Sequence, residues 1–506
     1  MTTPDRREAL RRRLADLPPD RREALLRSLG GRRDAEAAGR AWPLSPGQER
    51  LWFLSRFDPG DTGYHTPWCV RLRGSLDADA LGAAFTRIAE RHEVLRTRFR
   101  MVADTPAQIV LPPSPVPVEW ITVPEDGAAE GAAVKDPVSE DPISEGPVSE
   151  DPVSEGPVSE GAVGEGVDRA LAAFVNRPFD LENGPPLRAG LIRLGEDDAL
   201  LCIVLHHIVV DGWSLDVLMR ELAECYAARR EGREPELEEL PTQYPRHAAR
   251  ERARDHTAHL AYWTERLAGA PALGLPADRP RPPRWTGNGG REHLLLPPED
   301  VAPLERLARE TRCTSFMALL AAYQAMLGGA AGQHDFCVGV PVAGRSASEL
   351  APLIGYFGNT LALRADLSGD PTFRELLLRV REVTLSAMRH ADAPFEAVLA
   401  ALRVPRDISR PPLCQAMFNL HNLPKGDLLR TSMGDLDAEH HPAPPTARTK
   451  AEISVDVWRG PEGLGGVLDY SGDLFTPATA RRLADAFAHV VRLAGAEPDR
   501  RLSELS

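Results

Sequence analysis

The feature that most constrains the fold is an apolar run leading directly into a helical pattern. Residues 198–207 read DALLCIVLHH, and a run so rich in apolar and β-branched residues is typical of a buried strand. Residues 211–230 follow almost at once and have the apolar spacing of a helix. The sequence therefore predicts a strand, a tight loop and a helix at this point, which indicates an α/β fold.

The same alternation continues along the chain from Trp42 onward. Residues 68–76 alternate apolar and polar side chains like a strand, and Asp77 is a good N-cap for a helix over residues 77–99. The apolar face predicted for this helix consists of Leu81, Phe85, Ile88 and Leu95. In the second half we expect a helix at 300–329, a strand at 335–342, a strand at 359–367, a helix at 372–390, three further strands and a helix at 476–493.

The two halves look like variations on one unit, so we expect two lobes with a ligand cleft between them. A length of 506 residues agrees with more than one core. The predicted division is an N-terminal helical element at 1–38, an N-terminal lobe at 39–230, a connection at 231–295, a C-terminal lobe at 296–496 and a linker-like tail at 497–506. The N-terminal element is either a docking segment for an upstream protein or a helical lead-in packed on the domain.

A short tandem repeat interrupts the first lobe. Residues 136–160 contain five copies of a five-residue unit such as DPVSE, with a proline in each copy. Proline breaks helices, and the repeat has too few apolar groups to offset the entropy of ordering. We expect a disordered surface insertion at about 124–166, with an acidic docking tether as the alternative.

Composition and charge exclude several classes of protein. The net charge of −14 argues against nucleic acid as the main partner. No stretch reaches the roughly 18 apolar residues of a membrane span, and the N-terminus lacks an apolar signal core, so we expect a soluble, cytoplasmic protein. The six cysteines show no CxxC pair, and we predict free buried thiols and no metal site.

The chemical centre of the sequence is the pair His206 and His207. Side chains alternate along a strand, so the two imidazoles are predicted to point to opposite sides. His207 ends the strand beside a loop closed by Asp211 and Gly212, which is a good position for presenting a base. Neutral imidazole is suited to orienting or deprotonating an amine that attacks an activated carbonyl such as a thioester.

Several motifs in a fixed order resemble one family. The segment from His206 to Gly212 matches HHxxxDG, the signature of the condensation domains of nonribosomal peptide synthesis. The other matching stretches are PLSPGQERLWFL at 43–54, RHEVLRTRF at 91–99, IGYFGNTLALR at 354–364, HADAPFEAVL at 390–399 and RDISRPPLCQAMFNL at 406–420. Together with YWTERL at 262–267 and LPADRPRP at 275–282, they cover most of the chain.

The resemblance implies a pseudo-dimer of two chloramphenicol-acetyltransferase-like lobes in a V shape, with a tunnel between them. It implies an acyltransferase that forms an amide between a donor thioester and an acceptor amine. Both substrates would arrive on the phosphopantetheine of carrier proteins, with no cofactor bound by the domain itself. The implied partners are donor and acceptor carrier domains and a neighbouring adenylation domain, and we expect a monomer.

The resemblance also implies roles for single residues. His207 would be the catalytic residue, and the N–H of Gly212 would lie near the developing oxyanion. His206 and Asp211 would be structural, with Asp211 paired to Arg345 from the other lobe. The residues expected to line the tunnel are Trp213, Ser214, Tyr356, Gly358 and Asn359.

The sequence departs from the family pattern at a few positions. Gly358 stands where a valine is usual, Ala391 where a glutamine is usual, and His65 where an asparagine is common. We expect these changes to affect the shape of the substrate site more than its activity. The sequence of residues 206–222 resembles that of the subtype that joins an L-configured donor to an L-configured acceptor.

Two other functions remain open from the sequence. A free-standing enzyme of the same fold would form an ester or amide with an alcohol or amine that is not bound to a carrier. A recruitment platform that has lost catalysis would bind a partner enzyme instead. The intact HHxxxDG segment argues against the second alternative.

Overall fold

The computed structural model describes residues 40–123, 164–405, 407–421, 430–444, 448–460 and 462–505. The predicted N-terminal element at 1–38 lies outside these residues, as does the predicted insertion up to residue 163. Helix α3 begins at Glu165, within the range predicted for the insertion.

The first half of the chain alternates strands and helices. It contains the predicted strand before the two histidines and the predicted helix after them. Its elements, in chain order, are β1 (Ala41–Pro43), α1 (Pro46–Phe57), β2 (His65–Arg73), α2 (Ala78–Arg91), β3 (Thr97–Val102), β4 (Thr105–Val110), β5 (Val118–Trp120), α3 (Glu165–Val175), β6 (Leu187–Arg193), β7 (Asp198–His206) and α4 (Gly212–Glu231). Helices α5 (Tyr244–Arg252) and α6 (Thr257–Leu267) follow in the connection between the lobes.

The second half supplies the remaining elements. In chain order they are β8 (Gly289–Leu296), α7 (Pro298–Glu310), α8 (Ser315–Ala331), β9 (Asp335–Val342), β10 (Asn359–Asp366), α9 (Phe373–Arg389), α10 (Phe395–Leu402), β11 (Ala416–His421), β12 (Arg430–Met433), β13 (Leu436–His441), β14 (Ile453–Gly460), β15 (Gly463–Ser471) and α11 (Pro477–Ala496). Strand β8 begins inside the range predicted as a connection and pairs with β15 in the C-terminal lobe.

Each lobe is built on a six-stranded mixed sheet. The N-terminal sheet has the order β12-β13-β2-β7-β6-β5, and the C-terminal sheet has the order β10-β9-β11-β14-β15-β8. A small third sheet has the order β1-β4-β3. Strands β12 and β13 come from the second half of the chain but extend the N-terminal sheet, with β13 antiparallel to β2. The lobes are therefore joined by strands that cross from the second half of the chain into the first sheet, as well as by contact.

A second segment from the C-terminal half enters the N-terminal core. Leu350, Leu353, Ile354 and Phe357 are buried together with apolar residues of α2 and α4. This segment lies between β9 and β10, so it brings residues of the second lobe up against the end of β7. The junction of the lobes thus coincides with the position of His207.

Two predicted helices differ from the observed ones. The helix predicted over 77–99 ends at Arg91, because His92 has an extended backbone and its buried ring lies 2.8 Å from a carboxylate oxygen of Glu221. Leu95 is buried, but in the short turn at Glu93–Arg96. The helix predicted over 300–329 is two helices, α7 and α8, because Arg312 has a left-handed φ of 55° between them.

The helices of both lobes pack on their sheets. Among the residues described, no one helix has the length and apolar character needed to cross a membrane. Helices α7 and α8 reach that composition only together, as a pair bent by 112°.

All six cysteines are buried free thiols, and the described part of the chain contains no group of three or more side chains that could hold a metal ion.

Candidate active site

The two histidines are separated by the end of strand β7. His206 is the last residue of the strand, and His207 begins a short turn that ends at Val209. The ring of His206 is 4% exposed and its Nδ1 accepts a hydrogen bond from the N–H of Ile208 at 3.1 Å. The backbone N–H of His207 donates to the carbonyl of Tyr64 at 2.8 Å. His206 is therefore bonded within the N-terminal lobe, while His207 leaves the sheet.

The hydrogen bonding of His207 decides which ring nitrogen is free. Its Nδ1 lies 2.6 Å from the carbonyl oxygen of Val210. A carbonyl can only accept, so Nδ1 carries the proton and Nε2 keeps its lone pair. The loss of bulk water around the ring lowers the pKa of His207 to about 3, and the positive charge of Lys450 acts in the same direction. His207 is consequently a neutral imidazole at pH 7.

Asp211 ties the loop after His207 to the second lobe. It caps helix α4, accepting from the N–H of Ser214 at 2.8 Å and from its hydroxyl at 2.7 Å. The other carboxylate oxygen accepts from the N–H of Phe357 at 3.1 Å, and Arg345 donates to the first at 3.1 Å. With four donors the carboxylate is fully used by the protein, so its geometry is that of a clamp.

Arg345 is held as firmly as its partner. Its guanidinium donates to the carbonyls of Leu350 and Leu353 and lies 4.0 Å from the centre of the Phe357 ring. The residue before it, Gly344, has a φ of 60°, and a Cβ there would lie 1.9 Å from the carbonyl oxygen of Phe357. Only glycine fits that position, so the GR pair brings the guanidinium to Asp211.

Gly212 begins helix α4 directly after Asp211. An added Cβ would meet nothing within 4 Å, so the space above its backbone is open. The first N–H groups of a helix have no partner within the helix, and the helix dipole favours negative charge at this end. The start of α4 therefore favours negative charge, and the carboxylate of Asp211 lies there as the cap that accepts from the N–H of Ser214.

The five residues expected to line a tunnel are placed differently from one another. The ring of Tyr356 packs edge-on to His207 with centroids 5.1 Å apart, and half-buried Gly358 lies beside that ring. Trp213 is exposed and its indole N–H donates to the carbonyl of Ala351 at 2.9 Å. Ser214 belongs to the Asp211 clamp.

Asn359 has a different environment from Tyr356. Its amide nitrogen donates to the carbonyls of Ala391 and Ala393 at 2.8 and 2.7 Å, and its oxygen accepts from the N–H groups of Thr360 and Phe395. All of the bonding capacity of its side chain is used to hold the start of α10 against β10.

The structure adds residues that the sequence reasoning missed. Gln48 is hydrogen-bonded to the turn after His207, since its side-chain amide donates to the carbonyl of Ile208 at 3.1 Å. Ser45 and Gln48 also form a capping box at the start of α1. The S-x-x-Q spacing was a local signal for that cap but not for the contact with Ile208.

Two cations also lie near His207. The ammonium of Lys450 lies 5.4 Å from the centre of the Tyr64 ring, and removal from bulk water together with the positive charge of Arg50 lowers the pKa of Lys450 to about 8. Arg50 reaches Glu396 of the other lobe at 3.4 Å. Lysine is rare, with only Lys135, Lys425 and Lys450 in the chain, but that rarity does not indicate a position near His207.

Comparison with protein families gives one result over nearly the whole described chain. The family model for the condensation domain matches residues 39–152 and 160–506. Among curated proteins, one component of the linear gramicidin synthase of Brevibacillus parabrevis is 39% identical over 467 residues, which are 90% of this chain and 6% of that protein. Another component of the same synthase is 37% identical over 92% of this chain and 8% of its own length. The chain thus spans less than a tenth of these relatives.

Solved structures share the architecture. The X-domain from teicoplanin biosynthesis superimposes with a TM-score of 0.78 at 27% identity, covering 92% of this chain and 98% of that one. SgcC5 from Streptomyces globisporus gives 0.69 at 26% identity, covering 91% and 100%. The first condensation domain of the calcium-dependent antibiotic synthetase gives 0.69 at 21% identity, covering 92% and 99%. The fold is the chloramphenicol-acetyltransferase-like pseudo-dimer, and the chain belongs to the condensation-domain family.

Proposed function

We propose that this condensation domain transfers an acyl or peptidyl group from a carrier-bound thioester to the amine of an aminoacyl group on a second carrier, forming an amide. The observation that carries the proposal is the neutral His207, whose Nδ1 is fixed on Val210 and whose Nε2 lone pair is free. The activity fits the relatives, which are named as subunits of a linear gramicidin synthase.

The reaction needs little from the protein beyond the orientation of the amine and the thioester. The amine nitrogen bonds to the thioester carbon, the carbon–sulfur bond breaks, and the proton lost by the nitrogen ends on the departing pantetheine thiolate. An imidazole with a pKa of about 3 is a weak proton store, so His207 serves mainly as a hydrogen-bond acceptor that holds the attacking amine. The proton moves from the nitrogen to the sulfur as the tetrahedral intermediate collapses.

Gly212 is proposed as the donor to the oxyanion of that intermediate. Its N–H lies at the first position of α4, and a Cβ added to the residue would meet nothing within 4 Å, so the backbone is open to approach on that side. A backbone N–H at a helix N-terminus favours the charge that develops on the carbonyl oxygen more than the neutral carbonyl. Asp211, Arg345 and His206 are proposed as positioning residues that hold this arrangement.

An exposed aromatic pair on α1 is proposed as a docking surface for a carrier domain. Phe53 and Phe57 are 62% and 55% exposed and stack with centroids 6.3 Å apart, and the guanidinium of Arg284 lies over Phe57. Helix α1 runs from Gln48, which contacts the turn after His207, to this pair. Nine residues of helix span about 14 Å, a distance that a phosphopantetheine arm can follow to the site.

The remaining predictions about the biological setting rest on the family. The acceptance of carrier-bound substrates agrees with relatives that are multidomain synthetases, and no group is proposed to be bound permanently by the domain. A neighbouring adenylation domain, a monomeric state and the L-donor, L-acceptor subtype remain predictions.

Two further functions have a specific observation in their favour. SgcC5, 26% identical, was solved with a naphthyl ethanediol, so an alcohol acceptor is the second candidate. The teicoplanin X-domain was solved in complex with OxyB, so a recruitment platform is the third. The free lone pair of His207 favours the catalytic proposals over the third.

A single-turnover assay separates the three. A donor carrier loaded with an acyl thioester is mixed with carrier-bound amines, free amines and free alcohols, using the wild-type protein and His207→Ala. We expect amide formation that depends on the acceptor carrier and falls by about 10–10²-fold in the variant, the loss expected for one hydrogen bond to the attacking amine. Product only from a free alcohol would point to the ester-forming function, and no product from any pair would reject an acyltransferase.

A further inference from the structure

Tyr356 occupies a notch that only glycine can provide. A Cβ added to Gly47, on α1 of the N-terminal lobe, would lie 2.5 Å from Cε1 and 3.1 Å from Cδ1 of the Tyr356 ring. A contact of 2.5 Å is far inside van der Waals distance, and Gly47 has an ordinary backbone conformation. Glycine is therefore needed there for space rather than for backbone freedom.

The backbone of Tyr356 is fixed to the same helix start. The Tyr244 hydroxyl donates to the carbonyl of Tyr356 at 2.6 Å and lies 3.0 Å from the hydroxyl of Ser45, the N-cap of α1. Gly355 allows this approach, since a Cβ there would lie 2.1 Å from the Tyr244 ring. With its backbone tied at this point, the ring of Tyr356 has a defined position between the lobes.

The opposite edge of the ring faces Gly358. A Cβ at Gly358 would lie 3.5 Å from Cε2 and 4.0 Å from Cζ of Tyr356, which is ordinary contact. A methyl group at position 358 would thus pack beside the ring without moving it. Because Gly358 has no side chain and is half-buried, this edge of the ring is left uncovered by position 358.

This edge of the ring lies next to the position of the acceptor amine. An amine held by His207 must come within hydrogen-bond reach of its imidazole, and the Tyr356 ring is packed edge-on to that imidazole at 5.1 Å. The first substituent beside the amine is therefore within reach of the region between the ring and Gly358. Within the described chain, the Tyr356 hydroxyl makes no hydrogen bond in the protein, so it is available to that substrate.

We propose that Tyr356, seated on Gly47, and the open space at Gly358 form the wall that contacts the side chain of the amine acceptor and admits branched or aromatic side chains. This assignment rests on the proposed function. It makes Gly358 a specificity-determining position and Gly47 a positioning residue that acts through Tyr356.

The first test fills the space. Gly358→Val is compared with the wild-type protein for acceptors carrying glycine, leucine or phenylalanine. We expect kcat/KM for the leucyl and phenylalanyl acceptors to fall at least tenfold and that for the glycyl acceptor to change less than threefold. Equal losses for all acceptors, or no loss, would overturn the assignment.

The same ranking can be measured without turnover. The glycyl and leucyl amides of aminopantetheine, in which a nitrogen replaces the thioester sulfur so that the bond is stable to hydrolysis, are titrated into both proteins by calorimetry. A weakening of Kd for the leucyl amide alone in Gly358→Val supports the wall even if no transfer is seen. Failure of the proposed reaction is thereby distinguished from failure of the wall.

The second test examines the notch. Gly47→Ala should displace the Tyr356 ring and change the NMR signals of the His207 ring, whereas Gly60→Ala, which adds a methyl group in an exposed turn, should not. In a Tyr356→Ala background the same Gly47→Ala change should have little effect on turnover or on the His207 signals. Equal effects of Gly47→Ala in both backgrounds would contradict a role exerted through Tyr356.

Discussion

The carboxylate of Asp211 in the first lobe accepts a 3.1 Å hydrogen bond from the guanidinium of Arg345 in the second. Asp211 is 6% exposed and the Arg345 side chain 5%, so the ion pair is shielded from water. Removing either partner leaves a buried charge without its counter-charge. The pair thus connects the geometry of the HHxxxDG loop with the closure of the lobes.

Asp211→Ala should lower the free energy of unfolding by about 3–5 kcal/mol, because the Arg345 charge is left buried and unpaired. Urea unfolding followed by circular dichroism measures the loss. Arg254→Ala is the control, since its ion pair with Asp392 is exposed and worth at most about 1 kcal/mol. Similar losses for the two variants would mean that the Asp211–Arg345 pair contributes no more to the free energy of unfolding than an exposed ion pair.

His206 should make the protein sensitive to mild acid. Burial lowers the pKa of His206 to about 3, whereas a histidine in the unfolded chain titrates near 6.5. Below pH 6.5 the unfolded chain binds the extra proton and the folded one does not, so stability is complete above pH 6.5 and declines toward pH 3. Between pH 7 and 5 the loss from His206 alone is about 2 kcal/mol.

Urea unfolding at pH 5, 6 and 7 measures this slope. Since His65 and His247 also have lowered pKa values, the comparison is made between the wild-type protein and His206→Asn. The variant should be less stable at pH 7 but lose less stability on going to pH 5. An unchanged slope would show that His206 takes up its proton in the folded state as readily as in the unfolded chain.

The rate should show no ionisation of His207 near pH 6.5. Its pKa of about 3 keeps the imidazole neutral from pH 5 upward, so the acid limb of the rate follows the acceptor ammonium instead. Single-turnover rates with two acceptors of different amine pKa should therefore have acid limbs that differ accordingly. An acid limb at the same pH for both acceptors would assign the ionisation to the enzyme.

Phe53→Ser with Phe57→Ser should raise KM for a carrier-bound substrate at least tenfold while leaving kcat nearly unchanged. Both rings are exposed, so little packing is lost and the free energy of unfolding should stay within about 0.5 kcal/mol. Met101→Ser, at another exposed apolar side chain, is the matched control. The same KM for the double variant and for Met101→Ser would remove α1 from the docking surface.

The local part of the site was predictable because it depends on neighbouring residues. The strand, turn and helix around His207 follow from the apolar run and from Asp211, whose side chain caps the helix three residues away. The strand at 335–342 was predicted with its observed bounds for the same reason. Helix ends were less accurate at His92 and Arg312, where a buried ring contact and a left-handed residue stop the helix.

The sequence alone determined the family, the two βα-rich halves and the identity of the candidate base. Tertiary structure decided what surrounds that base: the Tyr356 ring, the Lys450 ammonium, the Gln48 amide and the exchange of β12 and β13 into the first sheet. These contacts join segments more than a hundred residues apart. Their pairing depends on how two cores pack against each other, and short-range patterns of polarity carry no information about that packing.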